Sequence, residues 1–186
     1  HRGSICTPTG KSISASPISF MRFGIPTLMS WNTFQRDTMN CDFLKDVLML
    51  LSVSLEARLR RLTLYARTVT LKLTYANMKG IPRSRIVPAC DDAVTICREA
   101  VKLLDQVEEK PVRLIGVSLN NLSGEEGRQL SLDDLLGEAA LAREAEREKL
   151  LAGLGEHYHL DFAGHLEQLC HSQTLHKTVE YMRKHK

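Results

Sequence analysis

The sequence contains no C-x-x-C pair, no long apolar run and no strong excess of charge of either sign. Its five cysteines, Cys6, Cys41, Cys90, Cys97 and Cys170, are odd in number and scattered. That spacing argues against a zinc ribbon and against a disulfide framework, and fits a reducing cytosol. No apolar stretch reaches the roughly 18 residues of a membrane span, and no signal-peptide pattern opens the chain. The chain begins "HRGS" without a methionine, so it is expected to be a piece of something longer. The net charge is +3 over 186 residues, with 43% hydrophobic and 25% charged residues. A sum that small decides nothing about partners, and the distribution of charge has to be read instead.

What is present is an ordered set of short patterns. Residues 1–33 are rich in Ser, Pro, Gly and Thr and read as irregular, with an extended candidate at 10–14. From Asp42, Leu44, Val47, Leu48, Leu51, Leu55, Leu59 and Leu62 fall on one helical stripe, with Asp42 expected as its N-cap. Val69, Leu71, Leu73 and Tyr75 then alternate with Thr68, Thr70, Lys72 and Thr74, the period of a half-buried strand. Residues 81–87 read as a second strand, and Pro82 places it at an edge or at a bulge. Pro88 and Asp91 are expected to open a helix with Ala93, Ile96, Cys97, Ala100, Leu103, Leu104 and Val107 on its stripe. "PVRLIGVSLNNL" reads as a near-continuous buried strand. A charged helix from about Glu138 to Leu151 and a tail with short helices follow.

This order predicts an α+β domain, a small sheet with two helices on one face in the sequence βαββαβ, followed by a helical C-terminal tail. The domain is expected over 34–123, with a linker over 124–136 and the tail over 137–186. Such a sandwich leaves one sheet face open, carrying Thr70, Lys72 and Thr74. Hydroxyls, Arg and Lys are the groups that hold phosphate backbones. Arg83 and Arg85, two apart on a strand, are spaced by roughly 6.6 Å, close to the spacing of successive phosphates. Arg67 and Lys72 extend the track. The bland reading is that two edge arginines only block aggregation.

"RTVTLKLTYANMKGIPRSRI", "DDAVTICREAVKLL" and "PVRLIGVSLNNLS", in that order, resemble the little-finger domain of Y-family translesion DNA polymerases of the polymerase IV-like group. "GKSIS" at 10–14 and "TFQRD" at 33–37 are similar to the first strand of that domain, with "SPISFMRFGIPTLMSW" between them as a loop insertion or an error in the gene model. The resemblance implies a domain that grips duplex primer–template DNA by its phosphates without reading sequence. The residues it implies are Lys11, Ser12, Arg67, Thr68, Thr70, Lys72, Arg83, Ser84 and Arg85, with Pro82 standing where the family has threonine. Nucleotidyl transfer needs carboxylates holding two Mg²⁺ ions, and in the family these belong to a palm domain whose "SxDE"-like motif does not occur here. No cofactor, no metal site and no catalytic residue are therefore expected in this piece, Mg²⁺ being implied for the parent polymerase. A monomer in the bacterial cytoplasm, at the nucleoid, is the implied setting.

Gln129, Leu130 and Leu132 in "RQLSLDDLLG" resemble the clamp-binding peptide of bacterial replication proteins, which implies the sliding clamp as a partner. The competing reading is a helix start with Ser131 as N-cap. His165, Cys170, His171 and His176 invite a metal reading, but none of them has zinc-site spacing. An alternative for the whole chain is a protein-interaction module whose arginines only solubilise.

Overall fold

The computed structural model describes residues 27–124, 137–162, 164, 168 and 171–185. The elements run β1 (Leu28–Thr38), α1 (Cys41–Leu62), β2 (Ala66–Tyr75), β3 (Gly80–Cys90), α2 (Ala93–Leu104), β4 (Val112–Asn120), α3 (Glu138–Tyr158) and α4 (Ser172–Lys184). The strands form one sheet in the order β1-β4-β2-β3, with every neighbouring pair antiparallel. The expected α+β order is thus observed, with β3 and its Pro82 at an edge, where a missing N–H costs least.

The helices follow from their stripes and their caps. Asn40 caps α1, its side-chain oxygen accepting from the Phe43 N–H at 2.8 Å. Asp42, expected in that role, lies inside the first turn, where its charge suits the helix dipole instead. Thr63 closes α1 in the left-handed region at φ 53°. Asp92, not Asp91, caps α2 by accepting from the Thr95 N–H at 2.7 Å. Of the expected α1 stripe, Leu44 through Leu59 is buried, but Leu62 is exposed at the helix end.

The core lies between the sheet and α1 with α2. Val69, Leu71, Leu73 and Tyr75 of β2 face it beside Ile115, Val117 and Leu119 of β4. α1 is buried beyond one stripe, because Met49, Leu50 and Val53 are covered as well. Burying a leucine fully stabilises by about 1.5–3 kcal/mol, so this one helix supplies much of the driving force.

β1 differs from the sequence reading. It starts at Leu28, inside the stretch assigned to an irregular segment and an insertion. Its buried face reads Leu28, Ser30, Asn32, Phe34, while Trp31 points outward. Two polar residues on the inner face and a tryptophan on the outer one hide the period that normally marks a strand. The 10–14 candidate lies outside the described residues.

The tail packs on the helix layer. α4 lies against β1 and α1, with His176 Nδ1 2.8 Å from Asn32 Oδ1 and Glu180 Oε1 accepting from the Gln35 N–H at 3.3 Å. α3 packs against α2 and buries only Leu151, Leu154 and Tyr158. Charge completes its docking: Arg147 meets Glu56 at 2.7 Å, Arg98 meets Glu146 at 3.0 Å and Arg60 meets Glu144 at 3.6 Å. The Tyr158 hydroxyl donates to Asp46, and burial together with that carboxylate raises its pKa.

Candidate nucleic-acid interface

Directly opposed residues of antiparallel strands share a face, so the register sorts every strand residue. On the side away from α1 and α2, four rows cross the sheet. They are Thr33–Leu114–Thr74–Gly80, Trp31–Gly116–Lys72–Pro82, Met29–Ser118–Thr70–Ser84 and Asn120–Thr68–Ile86. No carboxylate occurs in these rows, and Lys72 is their cation.

Hydroxyls and amides tie the rows together. Thr27 Oγ1 donates to Asn120 Oδ1 at 3.1 Å, Asn120 Nδ2 donates to Thr70 Oγ1 at 3.1 Å, and Thr70 Oγ1 lies 2.9 Å from Ser84 Oγ. This chain of polar contacts runs from the start of β1 to the edge strand. Asn121 Nδ2 adds a contact to Thr68 Oγ1 at 2.9 Å. Thr70 and Ser118 are themselves buried at the centre of the face. What a ligand meets is therefore the rim of the network (Ser84 and Thr68) together with Thr74, Lys72 and Trp31.

The arginines lie elsewhere. Arg83 is opposite Leu71 and Arg85 is opposite Val69, so both belong to the helix side of the sheet, at its edge. The sequence reading set them along the open face; the register puts Ser84 there instead. Arg85 Nη1 lies 3.4 Å from Glu99 Oε2 on α2, and Lys102 shares that carboxylate at 2.6 Å. Arg83 is exposed and has no ion-pair partner among the described residues. Arg67 is exposed beside the bulge between Ala66 and Thr68. Arg113, near the far end, is matched by Asp37 at 3.1 Å.

Of the residues singled out from the sequence, the open face thus collects Thr68, Thr70, Lys72 and Ser84, and the β3 edge collects Arg83 and Arg85. Lys11, Ser12, Gln129, Leu130 and Leu132 lie outside the described residues, as do His165 and Cys170. Trp31, Asn120 and Asn121 were missed. The Asn120-Asn121 pair at the end of a buried strand was the available signal for two of them; Trp31 was hidden in the stretch read as an insertion. Among the described residues no group of three or more His, Cys, Asp or Glu is placed to hold a metal ion.

Residues 26–132 match the family model described as "impB/mucB/samB family C-terminal domain". The chain is 37% identical over 115 residues to DNA polymerase IV of Methanoculleus marisnigri, covering 61% of this chain and 32% of that protein. It is 32% identical over 105 residues to DNA polymerase IV of Dehalococcoides mccartyi, covering 54% of this chain and 27% of that protein. The chain thus spans about a third of the length of these curated relatives, or less. Among solved structures, the little finger domain of PolIV in complex with a beta-clamp processivity factor is similar at 21% identity and a TM-score of 0.46, over 57% of this chain and 97% of that one. With its family match extending over more than half its length, the chain belongs to the impB/mucB/samB family, whose C-terminal domain it matches, and it is similar to part of proteins named DNA polymerase IV.

Proposed function

We propose that this domain holds duplex primer–template DNA by its phosphates, without reading sequence, as the accessory domain of a translesion polymerase. The observation that carries this reading is a sheet face uncovered by any described helix, with no carboxylate in its paired rows among the described residues and laced with hydroxyls around Lys72, with exposed Arg67, Arg83 and Arg85 at its margin. Hydroxyls, a lysine and backbone N–H groups at an edge make phosphate contacts that any base sequence satisfies. Nucleotidyl transfer and its Mg²⁺ ions are assigned to the remainder of the parent polymerase, and the domain to a monomer in the bacterial cytoplasm.

The cations at or beside the face, Lys72, Arg67, Arg83 and Arg85, correspond to about three to four phosphate contacts. The expected slope of log affinity against log salt is then about −3 to −4 on duplex DNA, measured by fluorescence anisotropy on several unrelated sequences. A slope near zero would favour a protein-interaction module. Replacing Arg83 and Arg85 together by Ala should weaken all sequences alike and flatten the slope by about 1 to 2. Strong discrimination between sequences would point to base readout and overturn the reading.

Gln129, Leu130 and Leu132 are proposed as a sliding-clamp peptide. They fall at the C-terminal end of the family match, which closes at residue 132. Leu130→Ala with Leu132→Ala should abolish retention on an immobilised clamp and leave DNA affinity unchanged; retained clamp binding would sink this part.

A further inference from the structure

Trp31 is the chain's single tryptophan. It lies on the outer face of β1 and is 42% exposed, an unusual place for the residue type that most often ends up largely covered. Its neighbour across the ladder is Gly116, and the next residue in the same row is Lys72. The glycine answers a packing demand, because a Cβ there would come within 2.9 Å of the Trp31 Cβ and 3.3 Å of the Ser30 carbonyl oxygen. Its consequence is a row with no side chain between an indole and an ammonium group.

Two strand spacings separate Trp31 from Lys72, roughly 9–10 Å between Cα atoms. The floor of the gap is backbone. Its sides are formed by Ser118 and Thr70 in one flanking row and by Leu114 and Thr74 in the other. An occupant must therefore be flat and apolar at one end and anionic at the other, and able to lie beside the Thr74 hydroxyl. No described residue pairs with Lys72, and no carboxylate in the rows repels an anion.

We infer that this gap takes one unpaired nucleotide of single-stranded DNA, its base against Trp31 and its phosphate on Lys72. The inference rests on the DNA-binding reading above and adds to it a subsite that a continuous duplex cannot fill. Bases within a duplex present their edges in the grooves, whereas an unpaired base has a free face for an aromatic side chain. Stacking of this kind accepts any base, in keeping with a domain that does not read sequence.

The single tryptophan makes the test direct, because intrinsic fluorescence reports this site alone. The intact chain is titrated at low salt with an oligothymidylate, with an abasic oligomer of the same length, and with a blunt duplex. The expected result is saturable quenching by the oligothymidylate only, with the abasic strand and the duplex bound but leaving the emission unchanged. Trp31→Ala should weaken oligothymidylate binding by about 5- to 150-fold and weaken binding of the abasic strand of the same length by much less, and Trp31→Phe should recover most of the loss. Lys72→Gln should weaken every DNA form, since it carries charge to all of them. Oligothymidylate binding without quenching, or equal quenching by the duplex, would overturn the subsite and leave duplex binding standing. Failure of all three DNAs to bind would overturn both readings.

Discussion

Glu56 is 2% exposed, on α1, and is charged only at a cost. It is held by two guanidiniums, Arg147 of α3 at 2.7 Å and Arg60 at 3.1 Å, and by the Ala93 N–H, which donates to it at 3.2 Å. The Arg147 Nε is itself buried, yet its N–H is not aligned for a hydrogen bond, so the attraction is Coulombic. Burial raises the Glu56 pKa above its ordinary value of 4.5 and outweighs the opposing pull of Arg147, Arg60 and the Ala93 N–H. Arg147→Met keeps the apolar stem and removes the charge. Breaking a buried ion pair from one side costs about 3–5 kcal/mol. Because Arg60 and the Ala93 N–H remain, the low end applies, about 3 kcal/mol, or roughly 6–12 °C in Tm for a chain of this size.

The pH dependence separates charge from packing. In Arg147→Met the Glu56 pKa rises further, so the folded state holds a proton that the unfolded state has released. Stability then falls as pH rises from about 4.5 through the folded-state pKa. The deficit against the parent should be largest at neutral pH and shrink as the pH falls toward and below 4.5, because protonation of Glu56 removes the charge that Arg147 offsets. Thermal melts at matched pH, with amide exchange along α3, provide the measurement. A deficit as large at pH 4.5 as at pH 7.5 would mean that α3 is docked by packing, and no deficit at pH 7.5 would mean that the pair contributes nothing. Glu56→Gln with Arg147→Met should cost less than the two single changes added.

Two further outcomes follow from buried groups. His176→Ala leaves the buried Asn32 amide without its partner from α4, at a cost of about 1–3 kcal/mol, and amide exchange should rise along α4 before it rises in the sheet. Burial pushes the Cys90 and Cys97 thiols up to about 12, so at pH 8 only about one in ten thousand is a thiolate. Both should resist alkylation until the protein is unfolded, as read by mass spectrometry.

The fold was legible where a strand or helix shows two different faces. β2 alternates leucines with threonines and a lysine, and α2 repeats small and branched apolar residues every three or four positions; both were found for that reason. β1 was not, because its inner face carries Ser30 and Asn32. The tertiary partner of Asn32 is one that no local pattern can show: its Oδ1 meets His176, distant by 144 positions. The docking of α3 was hidden for a related reason. Its few buried residues make a weak stripe, and its attachment depends on charges matched across the fold.

The site shows the same limit in sharper form. Alternation along β3 establishes that Arg83 and Arg85 share a side and that Ser84 has the other, but a strand read alone carries no absolute phase. A shift of one residue against β2 exchanges the two sides completely. β3 gives little help in choosing, because its middle is exposed on both faces. At an edge, the core side is only the rim of the helix layer, where a guanidinium can remain in water and still meet Glu99. Phase therefore had to come from the ladder, and it moves the charge of the interface. Lys72 and the hydroxyls lie under a ligand on the face, while the arginines reach it only around the margin. A phosphate track that uses both groups must wrap the β3 edge, and Arg85 can join it only by leaving a carboxylate it already shares with Lys102.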